Sequence, residues 1–108
     1  MAETFDLLAD GQLAASEGSL HLAGAGETVI IKGFTLVNRN AAARTVNVYV
    51  KVSAGTSRAI LPEGISIPGK AMLVYDGPTV ILGDGDDLRG DASAATSVDY
   101  VIMGLTIT

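Results

Sequence analysis

The residues best equipped for chemistry lie in one stretch, 82–95, which reads LGDGDDLRGDASAA. Asp84, Asp86, Asp87 and Asp91 sit there among glycines. Gathered carboxylates can hold a hard cation or share acid–base work. A calcium loop of the EF-hand kind needs oxygen ligands at alternating positions, a glycine at the sixth and a glutamate at the twelfth. Counted from Asp84, Arg89 occupies the glycine place and Ala95 the glutamate place, so the motif fails. Asp84, Asp86 and Asp87 remain a looser candidate metal site, because calcium accepts irregular oxygen cages. The favoured reading is a turn whose acids keep the tip wet and discourage edge-to-edge strand pairing.

Other chemistry is thin. His21 is the sole histidine, which rules out a multi-histidine metal site within one chain, and in SLHLA it reads as an outward-facing strand residue. No G-x-S-x-G elbow supports a serine nucleophile. The AGAGE glycines at 23–27 lack the Lys-Ser/Thr of a phosphate loop and read as a turn. The five aromatic residues are Phe5, Phe34, Tyr49, Tyr75 and Tyr100. Of these, Tyr49 is expected on a wet strand face, and one ring is not a stacking platform for sugars or single-stranded nucleic acid. No catalytic residue and no cofactor site is assigned, and the chain is expected not to be an enzyme.

The elements that position these residues follow a period of two. In RTVNVYVKV (44–52), Val46, Val48, Val50 and Val52 fall on one face and Thr45, Asn47, Tyr49 and Lys51 on the other. Successive side chains of a strand point to opposite sides of the sheet, so this is a half-buried strand with one wet face. ETVIIKGFTLVN (27–38) reads as a longer strand with Ile30, Phe34 and Leu36 facing one way and Val29, Ile31, Thr35 and Val37 the other; Gly33 suggests a bulge or bend. SVDYVIMGLTIT (97–108) is apolar on both faces, Val98, Tyr100 and Ile102 against Val101, Met103, Leu105 and Ile107. A strand apolar on both sides is covered on both.

Shorter strands are expected at 4–8, 19–23, 58–62, 70–76, 79–82 and 87–93. Asp-Gly and Pro-Gly turns stand between many of these elements, at 10–11, 68–69, 76–77 and 84–85. No helical period is sustained. The reading is all-β: one domain over 1–108, an antiparallel β-sandwich of about eight strands, jelly-roll-like or Greek key, with residues 1–12 as a candidate N-terminal arm.

Composition narrows the use. The 108 residues carry a formal charge of −5, and seven scattered Lys and Arg make no basic stripe, so no nucleic-acid partner is expected. Hydrophobic residues make up 48%, and the mean hydropathy is +0.40. No apolar run reaches the ~20 residues of a helical membrane span, so no membrane partner is expected. The apolar surplus points instead to a subunit interface. Absent cysteine fits folding in a reducing cytosol, and MAETFDLLAD has no basic segment of a secretory signal. Arg44 or Arg58 could pair with Asp76 or Asp99 across a subunit boundary.

Two longer stretches, VIIKGFTLVNRNAAARTVNVYV and AGTSRAILPEGISIPGKAMLVYDGPTVILGDGDDLRGDASAATSVDYVIMGLTI, carry a wider pattern. In their order of strands and turns they resemble small all-β structural and accessory proteins of tailed bacteriophages and prophages, over roughly residues 10–108. The resemblance implies a many-copy virion protein made in the bacterial cytoplasm: a capsid decoration or cement protein, or a neck, tail or fibre-base component. Its expected partners are copies of itself, as a trimer or hexamer, and other virion proteins, above all the major capsid protein. The residues expected at the oligomer interface are Val101, Met103, Leu105 and Ile107, opposite a core face of Tyr100 and Ile102. Phe5, Leu7 and Leu8 are expected there too, docking on a neighbour by strand addition. A free carbohydrate- or ligand-binding sandwich is the rival reading, resting on the acidic stretch at 84–91.

Overall fold

The computed structural model describes the backbone from residue 3 to 107 and the side chains from Leu7 to Ile107. Its ten strands are β1 (Glu3–Gln12), β2 (Gly18–Leu22), β3 (Thr28–Asn38), β4 (Arg44–Lys51), β5 (Ser57–Ala59), β6 (Ile65–Ile67), β7 (Met72–Tyr75), β8 (Val80–Leu82), β9 (Asp87–Ala92) and β10 (Val98–Ile107). Among the described residues there is no helix.

The strands form two antiparallel sheets. Sheet I runs β1-β10-β3, with β7 and β8 end to end along the far edge of β3. Sheet II runs β2-β9-β4, with β5 and β6 sharing the far edge of β4 in the same way. Each sheet is thus four positions wide, and the chain visits them in the order I, II, I, II, II, I, II, I. This is the jelly roll, eight strand positions in two facing sheets, as the sequence led one to expect.

Alternation fixes what each strand buries. In β4, Val46 and Val48 are fully buried and Val50 is half-buried, while Thr45, Asn47, Tyr49 and Lys51 face outward. Val52 lies beyond the last ladder pair and is exposed, not part of the core row. In β3 the buried residues are Val29, Ile31, Phe34, Leu36 and Asn38, so the inward row skips a residue between Ile31 and Phe34. Ile31 pairs with Gly104 and Gly33 with Met103, which leaves Lys32 as the extra residue of a bulge. The bulge foreseen at Gly33 is therefore present. It also corrects the face assignment: Ile30 lies on the opposite side from Phe34. A side chain at Gly33 would press on the Tyr75 carbonyl oxygen at 2.8 Å, so glycine lets β7 close on the bulge.

Three further departures follow, those of Leu8 and Leu20 from bulges as well. Leu8 is a bulge residue in the β1–β10 ladder, between the pairs Leu7–Met103 and Ala9–Ile102, and packs against the core rather than beside Leu7. Glu3–Gln12 joins the sandwich as β1, hydrogen-bonded to its own β10, rather than projecting ahead of it as an arm. On the second sheet, Leu20 is skipped between Ser19–Arg89 and His21–Leu88, so Leu20 packs on the core while Leu22 is exposed.

The core lies between the sheets, where Phe34 stacks flat on Tyr75 with ring centroids 4.7 Å apart and planes 3° from parallel. At one end of it Asn38, fully buried, continues the inward row of β3. Its amide nitrogen donates to the carbonyls of Ala42 (2.9 Å), Ile67 (3.0 Å) and Pro68 (3.2 Å), and its oxygen accepts from Asn40 N–H at 2.9 Å. One side chain thus joins the β3–β4 turn to the β6–β7 turn, across the two sheets.

Candidate interaction surface

The acidic stretch folds as a turn followed by a strand, and its carboxylates diverge. Asp86 N–H donates to Gly83 O (2.9 Å), closing a turn in which Gly85 has a φ of 81°. The Asp86 side chain accepts from the backbone N–H of Ser53 and of Gly83, both at 2.9 Å. These two donors, Ser53 first, hold its carboxyl below the ordinary carboxylate value. Asp87 accepts from Ser19 Oγ (2.6 Å) and Arg89 Nη1 (2.9 Å), and Asp91 accepts from Asn47 Nδ2 (2.8 Å). Asp84 is exposed. Among the described residues, no three Asp, Glu, His or Cys side chains are grouped to hold a metal ion.

The outer face of sheet II is a polar network. Arg89 also donates from Nε to Glu17 at 2.7 Å, and Ser57 Oγ donates to the same carboxylate oxygen at 2.6 Å. The Ser57 hydrogen bond and then Arg89 hold Glu17 below its ordinary value. Tyr49 stands on this face within 3.4 Å of Glu63. Partial burial, followed by the charges of Asp91 and Glu63, pushes its phenol up. Its ring has no aromatic companion there among the described residues, and most of its polar neighbours are already paired with one another. This is a poor stacking platform for a sugar.

Glu17 and Asp86 set the expected acid response. Each has a folded pKa below its reference of 4.5 and 3.8 respectively. A depressed carboxylate contributes stability that is complete above its unfolded pKa and is lost as pH falls through the folded one. The melting temperature should therefore hold steady down to about pH 5 and fall below about pH 4. Asp86→Asn should melt lower than the parent at pH 7 and lose less on acidification. Equal melting temperatures at pH 7 would contradict this role for Asp86.

The outer face of sheet I is of the opposite character. Its ladder sets outward residues in rows across the strands: Asp10, Val101, Thr35, Val74; then Leu7, Met103, Gly33; then Leu105, Ile30, Ile81. Met72 and Val37 pair in the row above, and Ile107 lies beyond Leu105. Leu7, Met72, Val74, Ile81 and Met103 are between 37% and 63% exposed, five of the seven large hydrophobic side chains that stand out into solvent among the described residues. Among the described residues the face is polar at Lys32, at Thr28 beside Ile107 and toward one end. At that end Gln12 Nε2 donates to Asp99 Oδ1 at 3.0 Å and Arg39 approaches Asp99 Oδ2 at 3.7 Å, rimming an open 460 Å³ depression.

Of the residues assigned to an interface from sequence, Leu7, Val101, Met103, Leu105 and Ile107 share this face by register. Phe5 pairs opposite Leu105 in the backbone register, and its side chain lies outside the described residues. Leu8 belongs to the core side. Met72, Val74 and Ile81 were not assigned, because strands of three or four residues show no period long enough to orient. The charged groups near the polar end have partners within the chain. Asp99 takes Gln12 and Arg39 of its own chain, while Arg44 reaches Ser97 Oγ (3.3 Å) and Ala43 O (3.1 Å).

No protein-family model and no curated protein sequence matches the chain. Its fold is similar to that of a chain in a solved structure described as the acidic stable capsid structure of Helicobacter pylori bacteriophage KHP30. The TM-score is 0.55 at 12% identity, over 100% of this chain and 89% of that one.

Proposed function

We propose that this chain is a non-enzymatic structural protein of a tailed-phage virion. In its most specific form it is a decoration or cement protein that assembles with copies of itself and binds across junctions of the major capsid protein. The observation that carries the reading is the fold similarity, over 100% of this chain and 89% of the other, to a chain in a phage capsid structure. Its two unlike outer faces suit a protein whose work is contact. The divergent carboxylates at 84–91 leave no evident constellation for a reaction. Modest contacts repeated over a lattice add through multivalency, so no single deep pocket is required. The virion is the proposed location, after synthesis in the bacterial cytoplasm.

Co-sedimentation with capsids that lack the protein tests the cement form. Purified protein should pellet with such capsids saturably and raise the temperature at which they open. Capsids that pellet without it would overturn that form.

A further inference from the structure

We infer that the outer face of sheet I is the contact between copies of this chain, covered in solution by a second copy. The inference rests on the distribution of side chains, and it would hold equally for a protein that never enters a particle.

Size is the first ground. Four strand positions about 4.8 Å apart and ten residues rising about 3.4 Å each give a face roughly 19 Å by 34 Å. A stable protein–protein contact takes about 800 Å² from each partner. The outline of the face is thus about 650 Å², of the order of that figure, and away from the polar end its residues are mostly aliphatic side chains and methionines. A monomer would leave Val74, Ile81, Met72, Leu7 and Met103 in water together on one side.

Shape and charge select the occupant. The rows hold aliphatic and methionine side chains on a continuous antiparallel sheet, with its open depression confined to the polar end. That surface matches another sheet, packed about 10 Å away with side chains interleaved. Each copy carries a net charge of −5, which opposes association unless the copies meet where charge is sparse. Away from the Asp10–Arg39–Asp99 end, Lys32 is the charged residue that the described part of this face presents, whereas sheet II carries Glu17, Asp87, Arg89 and Asp91. A second copy is the partner that supplies a flat apolar sheet of matching size at equal concentration.

The test is light scattering coupled to size exclusion over a dilution series, with the parent chain and a Val74→Glu/Ile81→Glu variant. Both substituted side chains already stand in solvent, so the core is untouched. The parent should elute at a multiple of 11.0 kDa and the variant at 11.0 kDa with an unchanged β-sheet circular dichroism spectrum. A monomeric parent, or a variant that keeps the parent's mass, would overturn the inference. Thiol accessibility gives an independent reading should the variant fold poorly. The chain has no cysteine, so Val74→Cys and Ser66→Cys each introduce a single reporter, on sheet I and on sheet II. The thiol of Val74→Cys should react with an aqueous disulfide reagent many times more slowly than that of Ser66→Cys, and equal rates would overturn the proposal. Virion content has no bearing on either outcome, so this inference and the virion reading fail separately.

Discussion

Asn38→Asp should unfold the protein under conditions in which the parent is fully native. The substitution keeps the shape of the side chain and replaces its NH₂ with an oxygen facing the carbonyls of Ala42, Ile67 and Pro68. The buried Ile67 carbonyl and the partly buried carbonyls of Ala42 and Pro68 lose their donor, and an ionised carboxylate is set against them with a single N–H, that of Asn40, in return. Each buried polar group left unpaired costs about 1–3 kcal/mol, and an unpaired buried charge costs more. We expect a loss of about 3 kcal/mol or more at pH 7, a large share of the 5–15 kcal/mol by which domains are stable. The penalty carries a pH signature. The introduced carboxyl is neutral more readily in the folded protein than in the unfolded chain, so its folded pKa is raised. The deficit relative to the parent should therefore shrink as pH falls from 7 to 5, before the parent's own acid loss begins. Asn38→Leu loses the same hydrogen bonds without the charge and should show no such recovery. Denaturant midpoints at the two pH values decide the matter, and an Asn38→Asp protein within about 0.5 kcal/mol of the parent would contradict the account of this side chain.

The second large effect is expected at Phe34. Its ring is fully buried on the inward row of β3 and lies flat on Tyr75 of β7. Truncating a buried phenylalanine to alanine costs about 3–5 kcal/mol, from lost transfer energy and the cavity left behind. The consequence here is also local, because β7 is a four-residue strand held on β3 by four ladder pairs. Its Tyr75 hydroxyl donates to Pro78 O at 2.8 Å, which ties the ring to the turn that follows. Loss of Phe34 should loosen β7 and with it Met72 and Val74 on the outer face. Phe34→Ala should therefore lower the denaturation midpoint and speed amide exchange at residues 72–75 more than in β4. Uniform exchange acceleration would show that the stack does not hold β7 in place.

Much of this architecture was legible in the residues. The strict alternation of 44–51 orients β4 without ambiguity, and the turn residues divide the remainder into stretches that overlap each of the other observed strands except β6. Faces were legible only where the alternation runs unbroken. Ile31 and Phe34 both point inward although three positions separate them, and the visible trace of the intervening bulge is Gly33. Leu8 changed sides for the same reason, with no glycine to mark it. Asn38 could have been found: it follows Phe34 and Leu36 at the inward spacing and immediately precedes a turn, where a buried amide has backbone carbonyls to serve. Ile65–Ile67, a three-residue strand between two prolines, is too short for its alternation to mark it. The apolar face was half visible. β10 announced it by being apolar on both sides, but β7 and β8 contribute Met72, Val74 and Ile81 through a sheet order that one sequence does not display.

The claim of a virion structural role is met most directly by counting copies in purified particles, by quantitative mass spectrometry against the major capsid protein. The cement form predicts a ratio near one to one, in particles washed free of loosely held protein. A ratio far below that would move the chain to the neck, the tail or the base of a fibre. Its absence from the particle would contradict the structural reading outright.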